Sequence, residues 1–81
     1  MDKPTWDGYE ANKPKLTVIK KLIDEKGWTL SKLASESGVS RRTIYNYING
    51  LSRPYAIKLY KIAKSLNTTV EYLIENMEEE N

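Results

Sequence analysis

Apolar residues recur at helical spacing in five short segments of the chain, and no segment sustains the alternation typical of a β-strand. The predicted helices span about residues 15–26, 29–37, 40–48, 55–66 and 69–77. Their predicted inner faces carry Leu16, Ile19, Leu22, Ile23, Leu33, Ala34, Ile44, Tyr47, Leu59, Ile62, Ala63, Leu66, Val70, Leu73, Ile74 and Met77. The pattern therefore predicts an all-α domain, a compact bundle of five short helices.

Residues that favour turns and helix caps lie between these segments. Gly27 and Asn67 can close the first and fourth helices, and Thr29 and Thr69 can cap the second and fifth. Residues 52–54 form a connector, because the residue before a proline disfavours helix. The connections between the predicted helices are therefore short.

The segment 33–44 has the spacing of two short helices that cross at a tight turn. Ala34 is small enough to let the two helix axes approach closely. Gly38 stands where the first helix must end in a sharp turn, which usually needs a left-handed backbone conformation. Val39 is expected to be buried in the turn, and Ile44 is expected to return to the core beneath Ala34. These residues predict a helix-turn-helix.

Four side chains of the third helix are left facing outward and are not needed for packing: Arg41, Arg42, Tyr45 and Asn46. Ser40 can cap the start of this helix. Two arginines at a helix N-terminus oppose the local dipole, which favours anions. They are either solvated surface charges or contacts to phosphate or guanine, and the second interpretation explains their unfavourable placement.

The 81 residues fit a single domain with two flanking segments. We expect a flexible N-terminal arm at residues 1–13, a folded domain at residues 14–77 and an acidic disordered tail at residues 78–81. Trp6 and Tyr9 in the arm either pack on a partner or belong to an unstructured leader.

Charge is strongly segregated along the chain. Residues 13–66 carry twelve Lys or Arg against three acidic residues, a net charge of +9. Residues 1–12 have a net charge of −2 and residues 67–81 a net charge of −5. Either the middle of the chain binds a polyanion, or its lysines only solvate helix faces.

The composition excludes several classes of function. The chain has no cysteine and no histidine, so it can form neither a disulfide scaffold nor a metal site built on those residues, and it lacks the commonest general base. No phosphate-binding glycine loop is present, so we expect no enzyme activity and no cofactor. No apolar run is long enough for a membrane span or a signal peptide, and we expect a cytoplasmic protein without membrane contact.

Over about residues 15–75 the chain resembles the lambda-repressor-like, or Cro/cI, helix-turn-helix DNA-binding domains. The residues that carry the resemblance are Leu33-Ala34, Gly38-Val39-Ser40-Arg41, Thr43-Ile44, Asn49-Gly50, Pro54, Leu59, Ile62-Ala63-Lys64, Leu66 and Leu73. The resemblance implies a compact bundle that binds double-stranded operator DNA as a two-fold dimer, with the helix at residues 40–48 in the major groove.

The same resemblance implies roles for individual residues. It places Arg41, Arg42 and Asn46 at positions that read base edges, with Tyr45 at a neighbouring exposed position. Arginine suits guanine and asparagine suits adenine in the major groove. Four further residues fall where the family contacts or approaches phosphate: Ser40, Thr43, Asn49 and Arg53.

Three positions depart from the family pattern. Leu30 replaces the glutamine that commonly begins the second helix, contacts phosphate and braces the reading helix, so Thr29 or Ser31 is expected to make the phosphate contact instead. Ile48 replaces a common glutamate and is expected to pack on the following loop or on a sister subunit. Tyr55 replaces a small capping residue, which predicts a different start to the fourth helix.

Two functions remain open from the sequence. The first is a sequence-specific DNA-binding transcriptional regulator, a repressor that acts as a homodimer on DNA. Its dimer contact could use Ile48, Leu51 or Tyr55, or the fifth helix. The alternative is a protein-interaction module, such as an antitoxin or antirepressor, that binds a protein partner through the acidic C-terminal helix or the N-terminal arm.

Overall fold

The structure is a computed structural model that describes residues 14–78, so the predicted arm at 1–13, with Trp6 and Tyr9, and residues 79–81 of the predicted tail lie outside the described range. The described residues form five α-helices: α1 Thr17–Lys26, α2 Leu30–Ser37, α3 Arg41–Ile48, α4 Ala56–Ser65 and α5 Val70–Glu75. Between residues 14 and 78 the only β-pairing is an isolated antiparallel bridge between Lys15 and Glu78. The predicted all-α class is confirmed.

One apolar core lies between the helices. Helix α2 packs against both α3 and α4, α1 packs against α3, and α5 packs against α4. The buried side chains are Leu16, Val18, Ile19, Ile23, Leu33, Val39, Ile44, Tyr47, Ile48, Leu59, Ile62, Ala63, Leu66 and Leu73. All five helices therefore contribute buried side chains to the same core. The side of each helix opposite its buried residues faces solvent.

The predicted inner faces are largely confirmed, with one correction at Ile74, and the structure also shows where Ile48 lies. Ile74 is 46% exposed, because the six-residue α5 packs chiefly against α4 and buries only its Leu73 side. Ile48 is 7% exposed and belongs to the core, so it is not available as a contact to a sister subunit. Leu22, Ala34, Val70 and Met77 are partly buried against the core.

The two ends of the described chain are joined. The backbone N–H of Lys15 donates to the carbonyl of Glu78 at 2.7 Å, and that of Glu78 donates to the carbonyl of Lys15 at 2.8 Å. The hydroxyl of Thr17 donates to the Glu78 carboxylate at 2.9 Å. These bonds explain why α1 starts at Thr17 rather than Lys15, and they hold Glu78, the first residue of the predicted tail, against the start of α1.

The helix ends use the predicted capping residues. The oxygens of Thr29, Ser40 and Thr69 each accept a backbone N–H from the first turn of α2, α3 and α5. Helix α4 starts differently, as predicted, because Tyr55 makes no side-chain cap. The backbone N–H of Tyr55 instead donates to the Tyr47 hydroxyl at 3.2 Å.

No helix in the described range is long and apolar enough to cross a membrane.

Gly38 closes α2 in the left-handed region, with φ 75°, and its N–H donates to the Ala34 carbonyl at 2.9 Å. A Cβ at this position would meet no heavy atom within 4 Å. The constraint on residue 38 is therefore its backbone conformation and not a lack of space.

We expect Gly38→Val to destabilise the domain by about 1–2 kcal/mol or more, because a β-branched residue is strained at this φ. For a domain of this size each kcal/mol lowers Tm by roughly 4–8 °C. Gly38→Asn is the matched control and should lose less, since asparagine tolerates the left-handed conformation. Thermal unfolding followed by circular dichroism checks both, and an unchanged Tm for Gly38→Val would contradict the turn described here.

Candidate nucleic-acid interface

Helices α2 and α3 form the predicted helix-turn-helix. Leu33 and Ile44 are fully buried between them, and Val39 in the turn is 4% exposed. Because Ile44 and Tyr47 both point into the core, the opposite side of α3 must face outward. The scaffold thereby presents one side of a short helix at the surface.

Ser40 organises the N-terminus of α3. Its Oγ accepts the backbone N–H of Thr43 at 3.1 Å, and its hydroxyl donates to Thr43 Oγ1 at 2.8 Å. Thr29 caps α2 in the same way by accepting the N–H of Lys32 at 3.0 Å. Within the described residues the protons of the Thr29 and Thr43 hydroxyls are not used in these bonds, so both can donate to an external acceptor such as phosphate.

An open cleft lies between the N-terminal ends of α2 and α3. Its lining consists of Thr29, Leu30, Ser31, Arg41, Arg42 and Tyr45. The structure therefore brings together three of the four side chains predicted to read bases with two predicted phosphate contacts. Asn46 is half-buried on the next turn of α3 and does not line the cleft.

Ser31 connects the two helices of the motif across this cleft. Its Oγ accepts a hydrogen bond from Nη1 of Arg41 at 3.1 Å. Leu30 is half-buried against the core and has no polar group to offer. Ser31 therefore links α2 to α3 through its side chain, whereas Thr29 serves as the α2 cap. Since a guanidinium has five N–H donors, Arg41 keeps others for a ligand.

Asn49 and Arg53 lie beyond the other end of α3 and outside the cleft. The side-chain amide of Asn49 donates to the Tyr45 carbonyl at 2.9 Å and so closes the C-terminus of the helix. Arg53 is half-buried in the loop that follows. The predicted phosphate contacts thus fall into two groups, one at each end of α3.

Two lysines that no sequence motif singles out lie over Trp28, between α1 and α2. Nζ of Lys26 lies 5.2 Å from the centroid of a Trp28 ring, and Nζ of Lys32 lies 5.5 Å from it. Lys32 also forms an ion pair with Glu36 at 3.0 Å. Trp28 packs against the core, and it holds two ammonium groups at the start of α2. In residues 14–78 no group of three or more acidic side chains could hold a metal ion.

Comparison with known proteins assigns the same architecture. The family model HTH_3, described as helix-turn-helix, matches residues 19–73. The HTH-type transcriptional regulator SutR of Escherichia coli strain K12 is 39% identical over 51 residues, which are 63% of this chain and 29% of SutR. The chain thus spans less than a third of the length of this relative.

Two solved structures of SinR are also similar. The SinR–SinI complex matches with a TM-score of 0.70 and 30% identity, covering 74% of this chain and 59% of the other. SinR in complex with DNA, described as the master regulator for biofilm formation, matches with a TM-score of 0.68 and 30% identity, covering 72% of this chain and 94% of the other. The described helices therefore have the arrangement found in SinR.

Proposed function

The chain belongs to the HTH_3 helix-turn-helix family, and on that premise we propose that it is a sequence-specific DNA-binding transcriptional regulator. Helix α3 enters the major groove of double-stranded operator DNA, and the domain needs no cofactor and carries out no chemistry. One observation carries the proposal: Arg41, Arg42 and Tyr45 share one open cleft on the side of α3 opposite the core. A SinR structure that contains DNA supports it.

Base reading falls to the exposed side chains of α3. Arg42 is exposed and makes no hydrogen bond or ion pair within the described residues, so its guanidinium is available for a bidentate contact to guanine. Arg41 is held by Ser31 and enters the groove in a fixed orientation. Asn46, one turn further along α3, pairs with adenine. Each such contact contributes roughly 1–3 kcal/mol of discrimination between bases.

Phosphate contacts position the domain without reading sequence. The Thr29 and Thr43 hydroxyls flank the cleft at the starts of α2 and α3. Lys26 and Lys32 add positive charge beside them, and Arg53 lies beyond the far end of α3. The net charge of +9 over residues 13–66 attracts the duplex as a whole, so affinity should fall steeply as salt rises.

We propose more specifically that the protein is a cytoplasmic repressor that binds DNA as a homodimer. Two copies on a two-fold operator would place their α3 helices about 34 Å apart, in successive major grooves on one side of the duplex. Occupation of such a site blocks transcription from an overlapping promoter. The alternative of a protein partner is supported by the SinR–SinI complex, and the two roles are compatible because a partner can bind away from the cleft.

Selection from a random duplex library tests the proposal. We expect enrichment of a two-fold-symmetric motif with guanines in each half-site. Absence of any enriched sequence would contradict DNA reading and favour the protein-interaction function.

Arg42→Ala should weaken binding to the selected operator by about 1–3 kcal/mol and affect random duplex much less, because it removes a base contact. Arg53→Ala is the matched control: it should weaken both duplexes alike and reduce the salt slope, because it removes a phosphate contact. Fluorescence anisotropy titrations at several salt concentrations measure both effects. Equal losses on the two duplexes for Arg42→Ala would remove this residue from the reading set.

Ser31→Ala should reduce the preference for operator over random duplex, because Arg41 loses the acceptor that orients it. Ser31→Thr keeps a hydroxyl and should retain the preference for operator. Comparison of the two variants separates the orientation of Arg41 from a general loss of stability. The ratio of the two dissociation constants is the readout, with thermal unfolding as the control for folding. An unchanged ratio in Ser31→Ala would show that this hydrogen bond does not prepare the reading helix.

A further inference from the structure

Helix α4 carries an exposed ridge on the side opposite its buried residues. Ile57, Tyr60, Lys61 and Lys64 follow one another at helical spacing, and all four are exposed. Ile57 is 68% exposed and Tyr60 is 54% exposed, so much of both large side chains is open to solvent. We call these four residues the basic ridge.

Helix α5 carries a ridge of opposite charge. Glu71, Ile74 and Glu75 lie on its outer side, and all three are exposed. We call these three residues the acidic ridge. The two ridges are neighbours, because Tyr60 and Lys64 of the first line a shared groove with Glu71 of the second.

The charges of the two ridges are not paired with each other. Within the described residues, Lys61, Lys64, Glu71 and Glu75 form no ion pair, and Nζ of Lys64 lies 5.9 Å from the centroid of the Tyr60 ring. The surface therefore presents unpaired positive and negative charge side by side, with exposed apolar side chains in both halves.

We propose that this surface binds a second copy of the chain. A two-fold contact joins the same patch on both copies, so the patch must be complementary to itself. Rotation about an axis through the shared groove sets each basic ridge against the partner's acidic ridge and covers Ile57, Tyr60 and Ile74. A patch with one basic half and one acidic half meets this requirement, whereas a patch of a single charge does not.

A second exposed apolar corner, formed by Leu51 and Tyr55, is not complementary to itself in charge. Leu51 and Tyr55 are 57% and 67% exposed, but Lys58 lies over the Tyr55 ring at 5.6 Å and Arg53 is nearby in sequence. No acidic residue occurs between Glu36 and Glu71. A two-fold contact at this corner would bring like charges together, so the corner suits phosphate rather than a second copy.

This surface is the contact of the homodimer proposed above, so its biological meaning rests on the proposed function. The patch shares no residue with the cleft, so the contact uses none of the side chains that line the cleft. The contact itself can be measured without DNA.

Sedimentation equilibrium of the full chain tests the proposal with two charge reversals. Lys61→Glu with Lys64→Glu makes both ridges acidic, and Glu71→Lys with Glu75→Lys makes both basic. The wild type should dimerise in a concentration-dependent and salt-sensitive manner, and each reversed variant should have a Kd for dimerisation at least roughly tenfold higher. An equimolar mixture of the two variants should recover the dimer, because every ridge then meets its opposite.

The control variant is Lys20→Glu with Lys21→Glu on α1, which makes the same change in net charge as Lys61→Glu with Lys64→Glu at exposed positions away from the patch. It should dimerise like the wild type, and circular dichroism should show that all variants fold. A monomeric wild type, reversed variants that dimerise normally, or a mixture that stays monomeric would each overturn the proposal. A chain that dimerises as described but binds no DNA contradicts the proposed function alone.

Discussion

Burial of Ile44 and Tyr47 fixes the orientation of α3, and the cleft exists because of it. Both side chains are at most 2% exposed, so the helix cannot rotate without exposing them. Tyr47 also accepts the backbone N–H of Leu16 at its carbonyl and that of Tyr55 at its hydroxyl. The residues that immediately precede α1 and α4 are thus hydrogen-bonded to the helix that carries Arg41 and Arg42. The turn at Gly38 completes this arrangement by letting α2 cross α3 closely.

Most polar side chains around α3 make a hydrogen bond within the domain and also keep an N–H or O–H group that can donate to a ligand. Ser40 and Thr29 cap the N-termini of α3 and α2, Thr43 accepts the Ser40 hydroxyl, and Ser31 accepts from Arg41. The hydroxyl protons of Thr29 and Thr43 and further guanidinium protons of Arg41 remain for a ligand. Such prior ordering lowers the entropy cost of placing these groups against DNA. The opposite charges on α4 and α5 lie outside the cleft, so DNA reading and protein association can be altered by separate substitutions.

The fold was predictable from sequence because its determinants are local. Helical spacing of apolar residues, the caps at Thr29, Ser40 and Thr69, and the glycine at position 38 each act within a few residues. Contacts between distant residues were not predictable in this way. The pairing of Lys15 with Glu78 and the exposure of Ile74 depend on how helices meet in space. The sequence does not distinguish the roles of Thr29 and Ser31, whereas the structure shows that Thr29 caps α2 and that Ser31 accepts a hydrogen bond from Arg41.

We propose that Arg42 on α3 reads guanine in the major groove. Replacement of single operator guanines by 7-deazaguanine removes only the N7 acceptor on that side of the base pair. If Arg42 reads guanine, at least one replacement in each half-site weakens binding by the wild type and causes no further loss in Arg42→Ala. Wild-type binding that is indifferent to every 7-deazaguanine replacement, or equal losses in the wild type and Arg42→Ala, would contradict it.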